Sequence, residues 1–190
     1  MSQLFELKQH LKPGKVYRRE ELGQWSNAVD RHLAELVNEG TLQKVSTGVY
    51  YYPKKSIFGN VPADEKALVR AFLKNGQFLI TSSNGYNSLG VGTTQLYNDT
   101  TVYNHKRHGK FKLGNRTFNF HMKHYFPDKL TKEFLLVDLV NNLDQLAEDP
   151  QEILKNVAVK VASMDRKKLA HSVNAYASIK AKKLLSPMLN

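Results

Sequence analysis

Apolar positions in residues 4–11, LFELKQHL, recur at helical spacing and stop at Lys12-Pro13-Gly14, where proline and glycine break the period. VYRREELGQWS then predicts a short extended piece and a second short helix, with Gly23 near its turn. A third helix over residues 26–38 is the clearest of the three. Ser26 stands at the N-cap position, Val29, Leu33, Leu36 and Val37 mark one buried face, and Gly40 is placed to end it. GTLQKVSTGVYYYPKK reads as two short strands around Ser46-Thr47-Gly48.

PKKSIFGNVP has two prolines, a glycine and no helical period, so it reads as a linker. The boundary falls there, giving residues 1–58 as one domain and 59–190 as another. A helix resumes over residues 63–74, and QFLITSSNGYNSLGVGTTQLYN follows as an apolar strand running into turn chemistry. LTKEFLLVDLVNNLDQLA is a strongly apolar helix, and Asp149-Pro150 opens another that runs to about residue 162. Asp165 caps a last helix, with Leu169, Val173 and Tyr176 as its stripe and Lys180, Lys182 and Lys183 at its end, where lysines complement the helix dipole. The fold class predicted is α+β: an N-terminal winged helix-turn-helix, then a mixed α/β domain with a central β-hairpin and C-terminal helices.

Charge sharpens this picture. The 190 residues carry a formal net charge of +11 from 28 basic and 17 acidic side chains, most concentrated in residues 61–130. Such a balance favours polyanionic partners, nucleic acid first. There are no cysteines, which excludes disulfides, thiol catalysis and thiolate-bound metals. No window approaches the length of apolar chain that a membrane span needs, and no secretory leader is evident, so a cytoplasmic location without membrane partners is expected.

On the third helix, Asn27, Arg31, Ala34 and Asn38 fall in a narrow arc opposite the apolar stripe. Arginine pairs bidentately with guanine and asparagine with adenine, while alanine allows close approach, so the arc suits a major groove. On an isolated helix the same arc would be a plain solvated face. The order helix, short helix, longer helix and hairpin favours DNA, because in a winged helix-turn-helix the last helix enters the groove and the wing touches backbone. Ser26, Asn27, Arg31 and Asn38 are the candidate readers. Lys15, Arg18, Arg19, Lys44, Thr47, Lys54 and Lys55 are the candidate backbone and wing contacts.

Residues 103–126, YNHKRHGKFKLGNRTFNFHMKHYF, hold His105-x-x-His108 and His121-x-x-His124 with no acidic residue. Gly114-Asn115 marks a two-residue hairpin turn. Around it Phe111 opposes Phe118, His108 opposes His121, and His105 opposes His124. Side chains alternate across a strand, so His105 and His124 share a face with Phe111, Leu113, Phe118, Phe120 and Met122. Lys106, His108, Lys110, Lys112, His121 and Lys123 share the other, a basic face that is either solvated or in contact with nucleic acid or an acidic protein. The four histidines then do not converge, the nearest acids, Asp99 and Asp128, lie outside the hairpin, and no metal is expected. Gly90-x-Gly92-Thr93 lacks the spacing of a phosphate loop. No GxSxG, HExxH or carboxylate cluster is present, so no catalytic residues and no cofactor are expected.

The run NEGTLQKVSTGVYYYPKKSIFG, with ADEKALVRAFLK, SSNGYNSLGVGTTQLYNDTTVYNHKRHGKFKLGNRTFNF and LTKEFLLVDLVNNLDQLA, resembles the AbiEi-type antitoxins of bacterial type IV toxin-antitoxin systems. The block with NSLGVGTTQLYN and YNHKRHG is its most specific part. The resemblance implies a DNA-binding transcriptional autorepressor acting on its own promoter, with residues 26–38 as the reading helix and residues 42–52 as the wing. It also implies an antitoxin domain that counters a nucleotidyltransferase toxin, directly or indirectly, and a basic surface continuing from the winged helix onto the hairpin lysines. The alternative is a protein-interaction module whose basic hairpin binds an acidic partner without sequence-specific DNA binding.

Overall fold

A computed structural model describes residues 2–96, 98 and 100–189. The fold is mixed α+β. The chain forms two compact units, Met1–Gly76 with Lys110–Phe118, and Gln77–Gly109 with Asn119–Asn190. The first unit thus runs past the boundary read from composition at residues 58 and 59, and it takes in a distant piece of chain.

In the first unit α1 (Gln3–His10) starts where the Ser2 hydroxyl accepts the Phe5 N–H, and Pro13 and Gly14 follow its end. Strand β1 (Val16–Arg18) leads into α2 (Arg19–Leu22) and a 3-10 turn over Gly23–Trp25. Helix α3 (Val29–Asn38) is followed by β2 (Gln43–Ser46) and β3 (Val49–Tyr51). The three strands form an antiparallel sheet in the order β1-β3-β2. Leu7, Leu22, Leu33, Leu36 and Leu42 make its core and are at most 1% exposed. Full burial of one such leucine contributes about 1.5–3 kcal/mol.

The segment read as a linker folds. Strands β4 (Lys54–Ser56) and β5 (Gly59–Val61) form a separate two-stranded hairpin in the register Lys54↔Val61, Lys55↔Asn60 and Ser56↔Gly59. The buried Tyr51 hydroxyl donates to the Val61 carbonyl at 2.6 Å, and Ser56 ties both sides of the turn. Helix α4 (Glu65–Leu73), capped by Asp64, packs against β1.

The second unit is centred on α5 (Lys132–Asn141), whose residues from Phe134 to Val140 are all buried, as expected of a helix apolar on every side. Around it lie α6 (Pro150–Ala162, capped by Asp149), α7 (Arg166–Tyr176, capped by Asp165) and α8 (Ile179–Leu185). The last helix read from the sequence is therefore two. The Ser178 hydroxyl caps α8, so Lys180, Lys182 and Lys183 belong to this separate helix. Strand β6 (Phe78–Ser82) pairs antiparallel with β7 (Thr100–Asn104). The chain continues into β8 (Gly109–Leu113) and β9 (Arg116–Met122), of which Lys110–Phe118 belongs to the first unit.

The β8–β9 turn falls at Gly114-Asn115, with Gly114 at φ 61, as the sequence predicts. Its strands are shorter than predicted. Residues 105–108 are not extended, and β8 begins at Gly109, whose φ of 116 few other residues adopt.

Candidate functional site

Helix α3 buries Val29, His32, Leu33 and Leu36 and exposes Arg31, Ala34 and Asn38 in the arc expected from its period, whereas Asn27, also exposed, lies in the turn before the helix and outside that arc. Glu35, also exposed, borders this arc at about 40° from Arg31 when residues advance about 100° each. Sequence reasoning passed over it. A carboxylate there can accept from cytosine N4.

Ser26 differs from its reading as an exposed cap and DNA contact. It is 5% exposed, the helix starts at Val29, and Ala28 holds the N-cap position. Ser26 Oγ lies 2.7 Å from His32 Nδ1 and accepts the Ala28 N–H at 3.1 Å. Arg31 Nη2 is 3.4 Å from His32 Nε2. A guanidinium only donates, so Nε2 accepts and Nδ1 carries the proton toward Ser26. A buried chain from Ser26 through His32 thereby holds the guanidinium of Arg31.

The candidate backbone contacts divide. Lys15, Lys44, Thr47, Lys54 and Lys55 are exposed, with Thr47 in the β2–β3 turn beside Gly48, φ 70. Arg19 is held by Asp30 of α3 through two hydrogen bonds of 2.6 Å. That pairing holds the Asp30 carboxyl below its usual range and raises the Arg19 guanidinium. Arg18 pairs with Glu21 at 3.0 Å, within α2's own capping box. Two of the expected phosphate contacts are thus engaged by carboxylates.

The hairpin's basic residues also divide. Lys110 and Lys112 are exposed and belong to the first unit, whereas Lys106, His108, His121 and Lys123 belong to the second. Within the first unit Gly114 N–H donates to the Val45 carbonyl at 2.8 Å, at the point where β2 shifts register between Lys44 and Ser46.

Lys123 is not an outward-facing surface lysine. Its Nζ sits 3.8 Å over the Tyr103 ring and 3.5 Å from Oδ1 of Asp138, which is completely buried. Tyr103 donates to Asp138 Oδ1 at 2.6 Å, and Tyr86 donates to Oδ2 at 2.8 Å. Asn142 Nδ2 donates to the Tyr86 hydroxyl at 3.2 Å. Burial, and then the neighbouring carboxylate, push both phenols well above the ordinary tyrosine range. This network locks α5 to β7 and to the 3-10 segment Ser83–Leu89.

Residues 105–108 lie outside the strand, so the alternation expected along the hairpin does not place His105 and His108. His108 and His121 meet edge to face, with ring centroids 5.4 Å apart. His121 is half-buried, and burial, followed by the charges of His108 and Lys123, lowers its pKa. His105 and His124 line a different cleft together. Of the acids weighed as metal partners, Asp99 is outside the described residues. Among the described residues no group of three or more histidines and carboxylates is arranged to hold a metal ion. None of their helices is long and apolar enough to cross a membrane.

No family model and no curated protein matches this chain. The structure is similar to the crystal structure of the RV2827C protein from Mycobacterium tuberculosis, with a TM-score of 0.59 and 14% identity over 98% of this chain and 74% of that one. At that identity the likeness concerns the fold.

Proposed function

We propose that the first unit is a winged helix-turn-helix that binds duplex DNA upstream of its own coding sequence, and that the protein is the autorepressing antitoxin of a type IV system with a nucleotidyltransferase toxin. The observation that carries the DNA half is the exposed arc on α3 with Arg31 anchored by His32. An arginine held at its guanidinium loses less freedom when it pairs with a base. Asn27 and Asn38 are the adenine readers, Thr47 and Lys44 serve the wing, and Lys15, Lys54, Lys55, Lys110 and Lys112 supply the sequence-independent attraction. Ser26 acts through His32 rather than on DNA. The antitoxin half is supported by the sequence resemblance. A gel shift with the upstream duplex, and rescue of growth when the neighbouring toxin gene is expressed with this chain, test the two halves separately.

A second reading, a protein-interaction module, has its own support in the β4–β5 hairpin. Ile57 and Phe58 at its turn are 92% and 93% exposed, beside Lys54 and Lys55. Two apolar side chains presented by a hydrogen-bonded turn suit an anchor for a partner's pocket. A stable complex with an acidic protein, lost on Phe58→Ser, together with no shift of upstream DNA, would favour it.

A further inference from the structure

The second unit contains a shallow cleft of about 470 Å³ between the segment following β9 and the last turns of α7. Small-molecule sites commonly measure about 300–1,000 Å³. His105, His124, Tyr125, Phe126, His171 and Asn174 face it, and no lining residue is acidic. The three imidazoles first suggest a metal, but they are not among any group arranged to hold one.

The chemistry of the walls suits a planar ligand. The His105 ring stacks on Phe126 at 4.7 Å with 27° between planes. Its Nδ1 lies 2.9 Å from the Lys123 carbonyl, which only accepts, so Nδ1 carries a proton and Nε2 is the ring nitrogen left for a ligand. Tyr125 is 75% exposed, an aromatic face without full cover. The Asn174 amide offers both a donor and an acceptor. On α7, His171 and Asn174 are one turn apart on an exposed face, and Lys167 extends that stripe by another turn.

Aromatic faces, an amide with both polarities, an imidazole nitrogen and a lysine one turn away, with no carboxylate in the lining, match a heterocycle that carries an anionic group. We propose that this cleft is a nucleobase site, occupied by a mononucleotide or by an unstacked base of a single strand, with Lys167 near the phosphate.

The test is calorimetric titration of the full chain, without duplex DNA, using AMP, GMP, CMP and UMP and then short single-stranded oligonucleotides. The titrations are repeated on Tyr125→Ala and Asn174→Ala. Both positions are exposed, so an unchanged melting temperature will certify the fold of each variant. Saturable binding that weakens about tenfold without the Tyr125 ring is expected, the size of one lost base-aromatic stack. Saturation by a mononucleotide identifies a free nucleotide site, and saturation by oligonucleotides alone identifies a strand site. No binding by either class, or binding that both variants leave unchanged, would overturn the proposal. Failure of duplex binding elsewhere on the chain would not bear on it.

Discussion

Ser26 Oγ and His32 Nδ1 lie 2.7 Å apart inside the first unit, and the other nitrogen of the same ring faces Arg31. Removing the hydroxyl by Ser26→Ala leaves a buried imidazole N–H and the Ala28 N–H without their acceptor. A loss of about 1–2 kcal/mol of stability is expected in urea unfolding of the full chain. Discrimination between DNA sequences should fall as well, because Arg31 loses its anchor. Unchanged stability would show that the contact contributes nothing.

Asp30 restrains Arg19 through two hydrogen bonds. Asp30→Asn removes a negative charge from α3 and releases the guanidinium toward phosphates. Affinity for any duplex should rise, and the slope of log affinity against log salt should steepen by about one. A weaker or unaltered affinity would place Arg19 away from the DNA.

Much of this arrangement was legible in the chain. The arc on α3 follows from a strong helical period, and the Gly114-Asn115 turn from local turn chemistry. Ser26 was misread because a residue six positions away buries it, and a cap looks the same in sequence whether it faces water or a histidine. The β4–β5 hairpin escaped because all six of its strand residues are exposed, so no alternation marks them. Asp138 is visible as the acid inside the apolar run from Phe134 to Val140, but Tyr86 and Tyr103 are 52 and 35 residues away. Only the fold brings them together, and Lys123 is drawn inward by the same carboxylate.

That carboxylate supports a stability prediction. Asp138→Ala leaves two buried phenols and the Lys123 ammonium without their common partner. A cost of about 3 kcal/mol is expected, against about 1–2 kcal/mol for Tyr86→Phe, which removes the hydrogen bond to Asp138 Oδ2 and the one accepted from Asn142. Chemical denaturation followed by circular dichroism distinguishes them. Equal, small losses would mean that the network is dispensable.

His121 supplies a pH dependence. Its pKa is lowered in the folded chain, so the unfolded chain binds more protons at mildly acidic pH. The stability from keeping this ring neutral is complete above the unfolded value of about 6.5. It is lost as pH falls through the lower folded value. Melting temperatures of the native chain should therefore fall more between neutral and mildly acidic pH than those of His121→Asn. Parallel curves would contradict the assignment.

The most direct test measures binding of the full chain to duplex from immediately upstream of its coding sequence, and to random duplex of equal length, at stepped salt concentrations, with native protein and Arg31→Ala. The native chain should prefer the upstream duplex, with log affinity falling linearly against log salt. Arg31→Ala should lose about 1–3 kcal/mol on the upstream duplex and little on the random one. Equal affinity of the native chain for both duplexes, or an equal loss on both, would contradict sequence reading by α3.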